Sequence, residues 1–293
     1  MMVAEEKLVS VYIPTHNRKV MLQRAICSVQ QQTYENIEIL VCDDGSSDGT
    51  KDLIMQLAAA DRRIKYLRSD TPRGACFARN MGIFAAKGYY ITGLDDDDQF
   101  TEDRINSLVS AFNEKDMSFI CSNLIMNFGS HQHVMGTFSG QIDLDMMGDK
   151  NHVGNQVLTL TRRLKDIGGF DERFPAWQDY DAWFRLVEAY GSGLKLLNAS
   201  YIQNVDHELG RITTGKKAKI GYEMFIKTHA NKLSQRQLKH LYFQDKMNRN
   251  ELIKLEELLS NMTLNNLTIY TKQLLKRSVP GVKNIVNLMK KRV

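Results

Sequence analysis

The chain has 293 residues, of which 43% are hydrophobic and 25% charged, and its formal net charge is +5. This composition excludes a disordered or collagen-like chain, and the length allows one large α/β domain with an appendage, or two domains. Because the sequence contains no run of about 18 apolar residues, no transmembrane helix is predicted.

The positive charge is concentrated near the C-terminal end of the sequence. Residues 272–293 contain seven Lys and Arg and no acid, which leaves the first 271 residues with a net charge of −2. Nucleic-acid-binding proteins usually spread their basic residues over a folded face with aromatic stacking partners, which this segment lacks. We therefore expect no nucleic-acid partner.

The cysteines predict a reducing compartment. Cys27, Cys42, Cys76 and Cys121 show no CxxC spacing, so buried thiols are favoured over disulfides or a zinc site. The first seven residues include two acids and run directly into a predicted strand, so no signal peptide is predicted. A cytoplasmic protein is expected.

In chain order, the first hundred residues predict short strands alternating with helices, which is typical of a parallel sheet covered by helices. The predicted strands are 8–13, 37–41, 64–67 and 89–94, and the predicted helices are 19–31, a helix ending near 60, and 73–86.

The later part of the chain has a less regular pattern. It predicts a helix at 101–114, a strand at 118–125, a polar stretch to 155, a strand at 156–160, and helices at 162–167 and 179–190. From about residue 216 the pattern is helical, with Pro280-Gly281 as an interruption. The predicted domains are 1–215 and a basic helical extension, 216–293.

Four consecutive aspartates, Asp95 to Asp98, follow the fourth predicted strand. Ligands of open α/β sheets bind beyond the carboxyl ends of the strands. Asp95 and Asp97 would point the same way and could share one hard divalent cation. A solvated loop before a helix capped by Thr101 is the alternative, which the position at the strand end disfavours. Because four adjacent acids repel one another, a positive group is expected nearby.

A second acidic turn, Asp43-Asp44-Gly45-Ser46, follows the second predicted strand. It could serve only as a turn and a helix cap. A carboxylate that accepts from an N–H donor, such as the imide of uracil, would also suit a pocket that reads a base. The residues alone leave both interpretations open.

Arg79 and Asn80 lie on the predicted helix between these two acidic loops. Arg79 could offset the aspartates or contact a diphosphate. Equally, it could be a surface arginine beside an amide that points to water.

A turn-rich segment, 168–177, leads into a helix rich in aromatic residues. Asp179 and Asp181 near its start could stabilise the helix N-terminus. An acid beside an aromatic also describes a sugar platform with a general base. Trp183 and Phe184 are expected in the core.

Taken in this order, the motifs resemble those of glycosyltransferase family 2, the inverting enzymes of the GT-A fold that use nucleotide-diphosphate sugars. The resemblance covers residues 8–190 and rests on five segments: Ser10 to Arg18, Val41 to Thr50, Ala78 to Gly82, Asp95 to Asp98, and Gln178 to Leu186. It implies an α/β GT-A (Rossmann-like) fold with a mostly parallel sheet flanked by helices. The nucleotide-sugar half would be about 1–100, and the acceptor half about 101–215.

The resemblance also implies roles for the residues that match its motifs. The donor would be bound by Pro14, Thr15, Asn17, Asp44 (accepting uracil N3–H), Arg79 (by the diphosphate), Asp95 and Asp96. Asp95 and Asp97 would form the DxD motif for Mn²⁺ or Mg²⁺. Asp98 is a further metal candidate, because four consecutive acids permit two registers.

On the acceptor side, the resemblance makes Asp179 the catalytic base, with Trp177 and Gln178 as acceptor contacts. The family usually has Glu-Asp at this point, whereas this chain has Gln178-Asp179. Any acceptor contact that the Glu carboxylate makes in the family would here be made by the amide of Gln178. His207 and Arg211 lie where some relatives have a metal ligand and a phosphate contact, but a surface histidine is favoured here.

The expected activity is metal-dependent transfer of a hexose or N-acetylhexosamine from a UDP-sugar to a lipid-pyrophosphate-linked saccharide, giving a β-linked product in surface polysaccharide (O-antigen) synthesis. One alternative is a non-catalytic nucleotide-sugar-binding protein on the same fold. A phosphotransferase with an aspartyl nucleophile is disfavoured, because its acids would follow the first strand.

The basic segment 272–293 suggests where the protein acts. Val282, Ile285, Val286 and Met289 form one apolar stripe with lysines off it, the pattern of an interfacial helix on an anionic membrane. A terminal helix docked on the catalytic domain is the alternative. The first interpretation predicts a cytoplasmic protein that is peripheral at the inner face of the cell membrane.

Overall fold

The computed structural model describes residues 6–154, 156–205 and 215–249, together with residues 251, 253, 254, 256, 257 and 260. The chain divides into two compact units, Met1–Ile212 and Thr213–Val293. The elements of the first unit are β1 (Val9–Thr15), α1 (Lys19–Gln30), β2 (Ile37–Asp43), α2 (Thr50–Ala60), β3 (Ile64–Arg68), α3 (Ala75–Ala85), β4 (Tyr90–Gly93), β5 (Gln99–Phe100), α4 (Arg104–Ala111), β6 (Ile120–Asn127), β7 (Gln132–Met135), β8 (Gly140–Ile142), α5 (Leu144–Asp149), β9 (Leu158–Leu160), α6 (Thr161–Asp166), α7 (Gln178–Tyr190) and β10 (Gly193–Asn204).

The first four strands form the parallel part of one sheet, in the order β3-β2-β1-β4. Every residue of β1 and β2 is buried, as expected for parallel strands with both faces covered. Helix α1 buries one stripe against the sheet, formed by Leu22, Ala25, Ile26 and Val29. The predicted parallel sheet with flanking helices is therefore confirmed.

Helix α3 lies unusually close to the sheet because of Gly82. A Cβ at this position would come within 2.6 Å of the Tyr12 Cβ and 2.8 Å of the Cys42 Sγ. This close packing buries the face of α3 that carries Arg79 and Asn80. Glycine at residue 82 thus positions an arginine that the site uses.

The second half of the sheet is mixed, and the sequence predicted it less well. Strand β9 runs antiparallel between β4 and β6, and β6 runs parallel to β10. The stretch to residue 155, predicted to be an irregular polar segment, contains β7, β8 and α5, and β10 was not predicted at all. All four residues of β7 are exposed, and β10 has register shifts between Lys195 and Tyr201, so neither shows an alternating pattern.

The cysteines are free thiols, as predicted. Cys42, Cys76 and Cys121 are buried, and Cys27 is partly buried. Burial raises the pKa of the Cys42 thiol to about 12, which keeps it protonated and unreactive. Within the described part of the chain, no helix is long and apolar enough to cross a bilayer.

In the second unit, the structure describes helix α8 (Lys216–His229), a 3₁₀ turn (Ala230–Lys232) and helix α9 (Gln235–Asn248). Ser234 and Gln237 form a reciprocal capping box at the start of α9. The helical pattern predicted from residue 216 is confirmed as far as α9. Residues 272–293, with the predicted interfacial helix, lie outside the described residues.

Candidate active site

The acidic loop, Asp95 to Asp98, follows β4 at the carboxyl edge of the parallel strands. Asp43 ends β2 and Asp44 follows it at the same edge, since β1, β2 and β4 run in parallel. The structure therefore brings together two clusters that are about fifty residues apart in sequence. This edge is where open α/β sheets bind their ligands.

The expected positive group beside the aspartates is provided by arginines. Arg18 Nη1 lies 2.9 Å from Asp96 Oδ1 and 3.0 Å from Asp97 Oδ2. Asp96 is buried and also accepts a hydrogen bond from Thr15 Oγ1 at 2.8 Å. Burial raises the pKa of Asp96 to about 6, although the charge of Arg18 acts in the opposite direction. Asp96 therefore fastens the acidic loop to β1.

The last residue of the loop is turned into the protein. Asp98 is 2% exposed and accepts a hydrogen bond from the backbone N–H of Asn204 at 3.0 Å. Burial, together with the charges of Asp95 and Asp97, raises the pKa of Asp98 to about 8. The side chains of Asp95 and Asp97 remain about one fifth exposed (22% and 19%) and are the two that a ligand can reach.

Arg79 is buried beside Asp95, so the alternative interpretation of Arg79 as a surface residue is wrong. Its Nη2 donates to Asp95 Oδ1 at 3.0 Å, while Nε and Nη1 are buried and have no hydrogen-bond partner among the described residues. Burial opposes its charge, but Asp95 and Asp179 outweigh this effect and raise the pKa of Arg79. The site thus contains a permanent cation with donors available for an anionic ligand.

Asn80, the neighbour of Arg79, is also buried and does not point to water. Its side-chain amide donates to the Phe170 carbonyl and accepts from the Phe170 N–H, both at 2.8 Å. This pair of bonds holds the segment before α7 against α3. Asn80 therefore helps to bring α7 to the acidic loop.

Asp179 lies in the first turn of α7 and is close enough to Arg79 and Asp95 to interact with their charges. Part of the residue is exposed, but Oδ1 is buried and has no hydrogen-bond partner among the described residues. Burial raises the pKa of Asp179 to about 6, with Arg79 acting in the opposite direction and Asp95 adding to the rise. A carboxylate so tuned is suited to general base catalysis near neutral pH.

Of the residues next to Asp179 in sequence, some face the site and others stabilise the fold. Trp177 has a left-handed backbone (φ 65°), and its ring stacks on Tyr180 at 5.5 Å. Gln178 is buried, and no described residue bonds its Oε1. Asp181 pairs with Arg185 at 2.8 Å, and Arg185 in turn donates to the Ile167 and Gly169 carbonyls. Asp181 is therefore structural.

Asp44 uses its carboxylate to anchor the loop before α3. Oδ1 accepts from the Arg73 N–H at 2.8 Å, and Oδ2 accepts from the Gly74 N–H at 2.6 Å. Asn17, at φ 53°, accepts from the Ser47 N–H at 2.7 Å. Pro14 and Thr15 lie on β1 beside these residues, so the predicted donor contacts lie close together along this edge of the sheet.

The residues that could hold a divalent cation are Asp95 and Asp97. The described residues contain no group of three His, Cys, Asp or Glu side chains placed to hold a metal. Two carboxylates are nevertheless a set that suits Mg²⁺ or Mn²⁺, because these ions commonly take one or two carboxylates and complete their shell with substrate phosphates. His207 and Arg211 lie outside the described residues.

Some residues of the site were not assigned a role from sequence. Arg18 lies within the first matched motif. The expectation of a positive group near the four aspartates was the signal that could have identified it. Gln156, Tyr201 and Asn204 also contact the acidic loop, but they come from parts of the chain with no motif.

Comparison with known proteins identifies the family. A family model described as Glycosyl transferase family 2 matches residues 10–153. WcaA of Escherichia coli strain K12, whose name assigns it to colanic acid biosynthesis, is 32% identical over 264 residues, which are 88% of this chain and 94% of WcaA. The chain belongs to glycosyltransferase family 2.

Two further relatives of this glycosyltransferase are informative. The Escherichia coli UDP-Glc:alpha-D-GlcNAc-diphosphoundecaprenol beta-1,3-glucosyltransferase WfgD is 30% identical over 201 residues, 68% of this chain and 76% of WfgD. The crystal structure of Staphylococcus aureus TarS 1-349 with UDP-GlcNAc matches with a TM-score of 0.68, over 91% of this chain and 79% of that chain, at 16% identity. The predicted GT-A fold is confirmed.

Proposed function

We propose that this glycosyltransferase moves a hexose or N-acetylhexosamine from a UDP-sugar to a lipid-pyrophosphate-linked saccharide, with inversion, in surface polysaccharide (O-antigen) synthesis. The observation that carries the proposal is the buried Oδ1 of Asp179, which has no hydrogen-bond partner among the described residues. The Asp179 carboxyl also interacts electrostatically with Arg79 and Asp95. A carboxyl oxygen left without a partner in a folded site is free to accept the proton of a substrate hydroxyl.

The acceptor hydroxyl would lose its proton to Asp179 while its oxygen forms the new bond at the anomeric carbon. This bond forms opposite the departing diphosphate, so an α-linked donor gives a β-linked product. The raised pKa of Asp179, about 6, makes it a stronger base than a surface aspartate while leaving it mostly ionised at neutral pH. Trp177 and the unpartnered Oε1 of Gln178 would contact the acceptor sugar.

The donor would lie along the carboxyl edge, where Pro14, Thr15, Asn17 and Asp44 line the nucleotide. Asp44 Oδ1 accepts one backbone hydrogen bond and keeps a lone pair that could accept uracil N3–H. Arg79, through Nε and Nη1, would donate to the diphosphate oxygens.

Asp95 and Asp97 would hold Mn²⁺ or Mg²⁺, with Asp96 helping to position them through Thr15 and Arg18. When bound, the cation would neutralise the charge that develops on the departing diphosphate. Asp98 is less suited to this role, because its carboxyl is buried against β10.

The lipid acceptor is supported by the name of WfgD, which specifies a diphosphoundecaprenol substrate. A peripheral site at the inner membrane face, reached through residues 272–293, completes the proposal. Co-sedimentation with anionic vesicles tests this part: the full chain should bind more strongly than a chain that ends near residue 271, and equal binding would reject the membrane role of the segment.

Turnover tests the activity. The purified protein would be assayed for UDP release with UDP-Glc, UDP-Gal, UDP-GlcNAc and UDP-GalNAc, with GDP-Man as the nucleotide control, and with a GlcNAc-pyrophosphoryl lipid as acceptor. We expect one UDP-sugar to give acceptor-dependent release that EDTA abolishes and Mn²⁺ restores, and a product whose anomeric coupling constant indicates a β linkage. Binding of UDP without turnover of any donor would favour a non-catalytic nucleotide-sugar-binding protein.

A further inference from the structure

The acidic loop is fastened to β10 by the hydroxyl group of Tyr201. This hydroxyl accepts a hydrogen bond from the Asp95 N–H at 3.2 Å and is also hydrogen-bonded to the Asp98 carboxyl. The Asp98 N–H donates to the Asp95 carbonyl at 3.0 Å, which closes the turn. One buried oxygen therefore links the first and last residues of the loop, with Asp97 between them.

The ring of Tyr201 is held in turn by a buried cation, Arg104. The guanidinium carbon of Arg104 lies 5.2 Å from the centre of the Tyr201 ring and 4.8 Å from that of Phe100. Its Nη1 donates to Ser122 Oγ at 2.8 Å and to Ser200 Oγ at 3.1 Å. No carboxylate forms an ion pair with Arg104 within the described part of the chain, although Arg104 is 1% exposed. An unpaired buried charge is costly, so this arrangement calls for a function.

Two neighbours connect the same buried cluster to the loop. Gln156 accepts from Arg104 Nη2 at its backbone carbonyl (3.4 Å), and its side-chain amide lies 3.5 Å from Asp95 Oδ1. Asn204 donates to the Asp97 carbonyl at 2.7 Å. Each of Asp95, Asp97 and Asp98 is therefore contacted by Gln156 or by the end of β10.

We propose that Tyr201 is a positioning residue that sets the spacing of Asp95 and Asp97, with Arg104 holding its ring in place. The proposal rests on the metal-binding role of these two aspartates in the proposed function. Without the hydroxyl, the Asp95 N–H and the Asp98 carboxyl lose their shared partner, so the two exposed carboxylates are no longer held at one distance. Groups that orient metal ligands typically contribute about 10- to 100-fold to metal affinity.

The test is Mn²⁺ binding by Tyr201→Phe, measured by electron paramagnetic resonance in the presence of saturating UDP. The ring and its contacts with Arg104 and Phe100 remain in this variant, and only the hydroxyl is removed. We expect the Mn²⁺ dissociation constant to rise about 10-fold or more, with UDP affinity in EDTA unchanged. High Mn²⁺ concentrations should restore much of the lost transfer rate, which a purely structural defect would not allow.

Tyr34→Phe is the matched control. Tyr34 is also buried, and its hydroxyl donates to the Lys7 carbonyl at 2.5 Å, next to the start of β1 and at the opposite edge of the sheet. We expect its Mn²⁺ affinity to equal that of the wild type. Equal weakening in both variants would overturn the proposal, since the effect would then be general.

The outcomes separate this inference from the proposed function. If the wild type binds Mn²⁺ and Tyr201→Phe binds it equally well, the positioning role of Tyr201 is overturned while metal dependence stands. If the wild type with UDP binds no Mn²⁺, the metal-binding role is wrong and the inference fails with it. Should Tyr201→Phe not fold, Asn204→Ala is the substitute. It removes the side-chain bond to the Asp97 carbonyl together with the bonds to Asn127 and Gln99, and it is expected to weaken Mn²⁺ binding; unchanged binding would overturn the proposal.

Discussion

Two arginines are buried near the acidic loop, and their surroundings are opposite in character. Arg79 forms an ion pair with Asp95, and two of its nitrogens, Nε and Nη1, have no partner among the described residues. Arg104 has no acidic partner there, and its terminal nitrogens donate to Ser122, Ser200 and Gln156. Burial lowers the pKa of Arg104 to about 10, whereas the acids around Arg79 raise its pKa despite burial.

The difference separates the ligand-facing part of the site from its support. Around Arg79 and Asp179, polar groups are buried without partners, which costs folding free energy and leaves them available to a substrate. Around Arg104, most donors are used within the protein. Substitution of Asp179 or Arg79 should therefore affect catalysis more than stability, and substitution of Arg104 should do the reverse.

The largest effect is expected for Asp179→Asn. The amide cannot accept the acceptor proton, so kcat should fall by about 10²- to 10⁴-fold while the fold is retained. Single-turnover transfer measures the loss, and Asp171→Asn, which removes the charge of a partly buried carboxylate paired with Arg173, is the control. Near-wild-type transfer by Asp179→Asn would remove Asp179 from the mechanism.

Arg79→Met should come next. Losing charge-assisted hydrogen bonds to the diphosphate is expected to reduce kcat/KM by about 10- to 100-fold, with little change in the free energy of unfolding. Since Arg79 lowers the pKa of Asp179, its removal should also move the acid limb of the pH–rate profile above the wild-type value near 6. Arg79→Lys keeps the charge and should leave the limb nearly in place. If the acid limb of the pH–rate profile does not move in Arg79→Met, Arg79 does not control the pKa of Asp179.

Substitution of Arg104 should affect stability instead. Arg104→Lys would bury a compact, strongly hydrated ammonium without a counter-ion, and we expect a loss of about 2–3 kcal/mol in the free energy of unfolding. Arg104→Met removes the buried charge and should cost less, about 1 kcal/mol. Urea denaturation of both variants tests the order. If Lys proves better tolerated than Met, the cation itself stabilises the cluster.

The smallest effect is the pH dependence of stability in Asp179→Asn. The folded-state pKa of Asp179, about 6, lies above the ordinary value of 3.8, so the wild type loses stability as the pH rises from about 4 to about 6 and the carboxyl ionises. The variant does not titrate at this position and should be more stable than the wild type at pH 8. The full pKa difference corresponds to about 3 kcal/mol, and solvent screening of the partly exposed side chain should reduce this to about 1 kcal/mol. The advantage should disappear near pH 4. Thermal unfolding at the two pH values measures it, and an equal difference at both would exclude titration of Asp179 as the cause.

The parts of the fold that could be predicted are those in which neighbouring residues contain the information. Strands β1 to β4 and the helices between them show short apolar runs and regular helical stripes. Strand β10 was missed because Lys195 and Asn204 are buried within it and form hydrogen bonds with distant carbonyl, carboxyl and amide groups. No local pattern indicates such partners.

The same reasoning applies to the site. Arg79, Asp95, Asp97 and Asp179 were found because they belong to motifs at strand and helix ends. The contact of Tyr201 with Asp95 joins residues 106 positions apart. In the sequence, Tyr201 looks like an ordinary core residue, so only the three-dimensional structure links it to the acidic loop.

The distance in sequence between the acidic loop and β10 has a consequence for biosynthesis. The loop residues leave the ribosome long before Tyr201 and Asn204 do, and domains form while the chain is still being made. Until β10 has emerged and paired with β6, the Asp98 carboxyl lacks the N–H of Asn204, and Asp95 and Asp97 lack their backbone contacts with that strand. A nascent chain with β1 to β4 already folded would therefore hold the acidic loop only through Thr15, Arg18 and Arg79, and the contacts of the loop with β10 would be added late in synthesis.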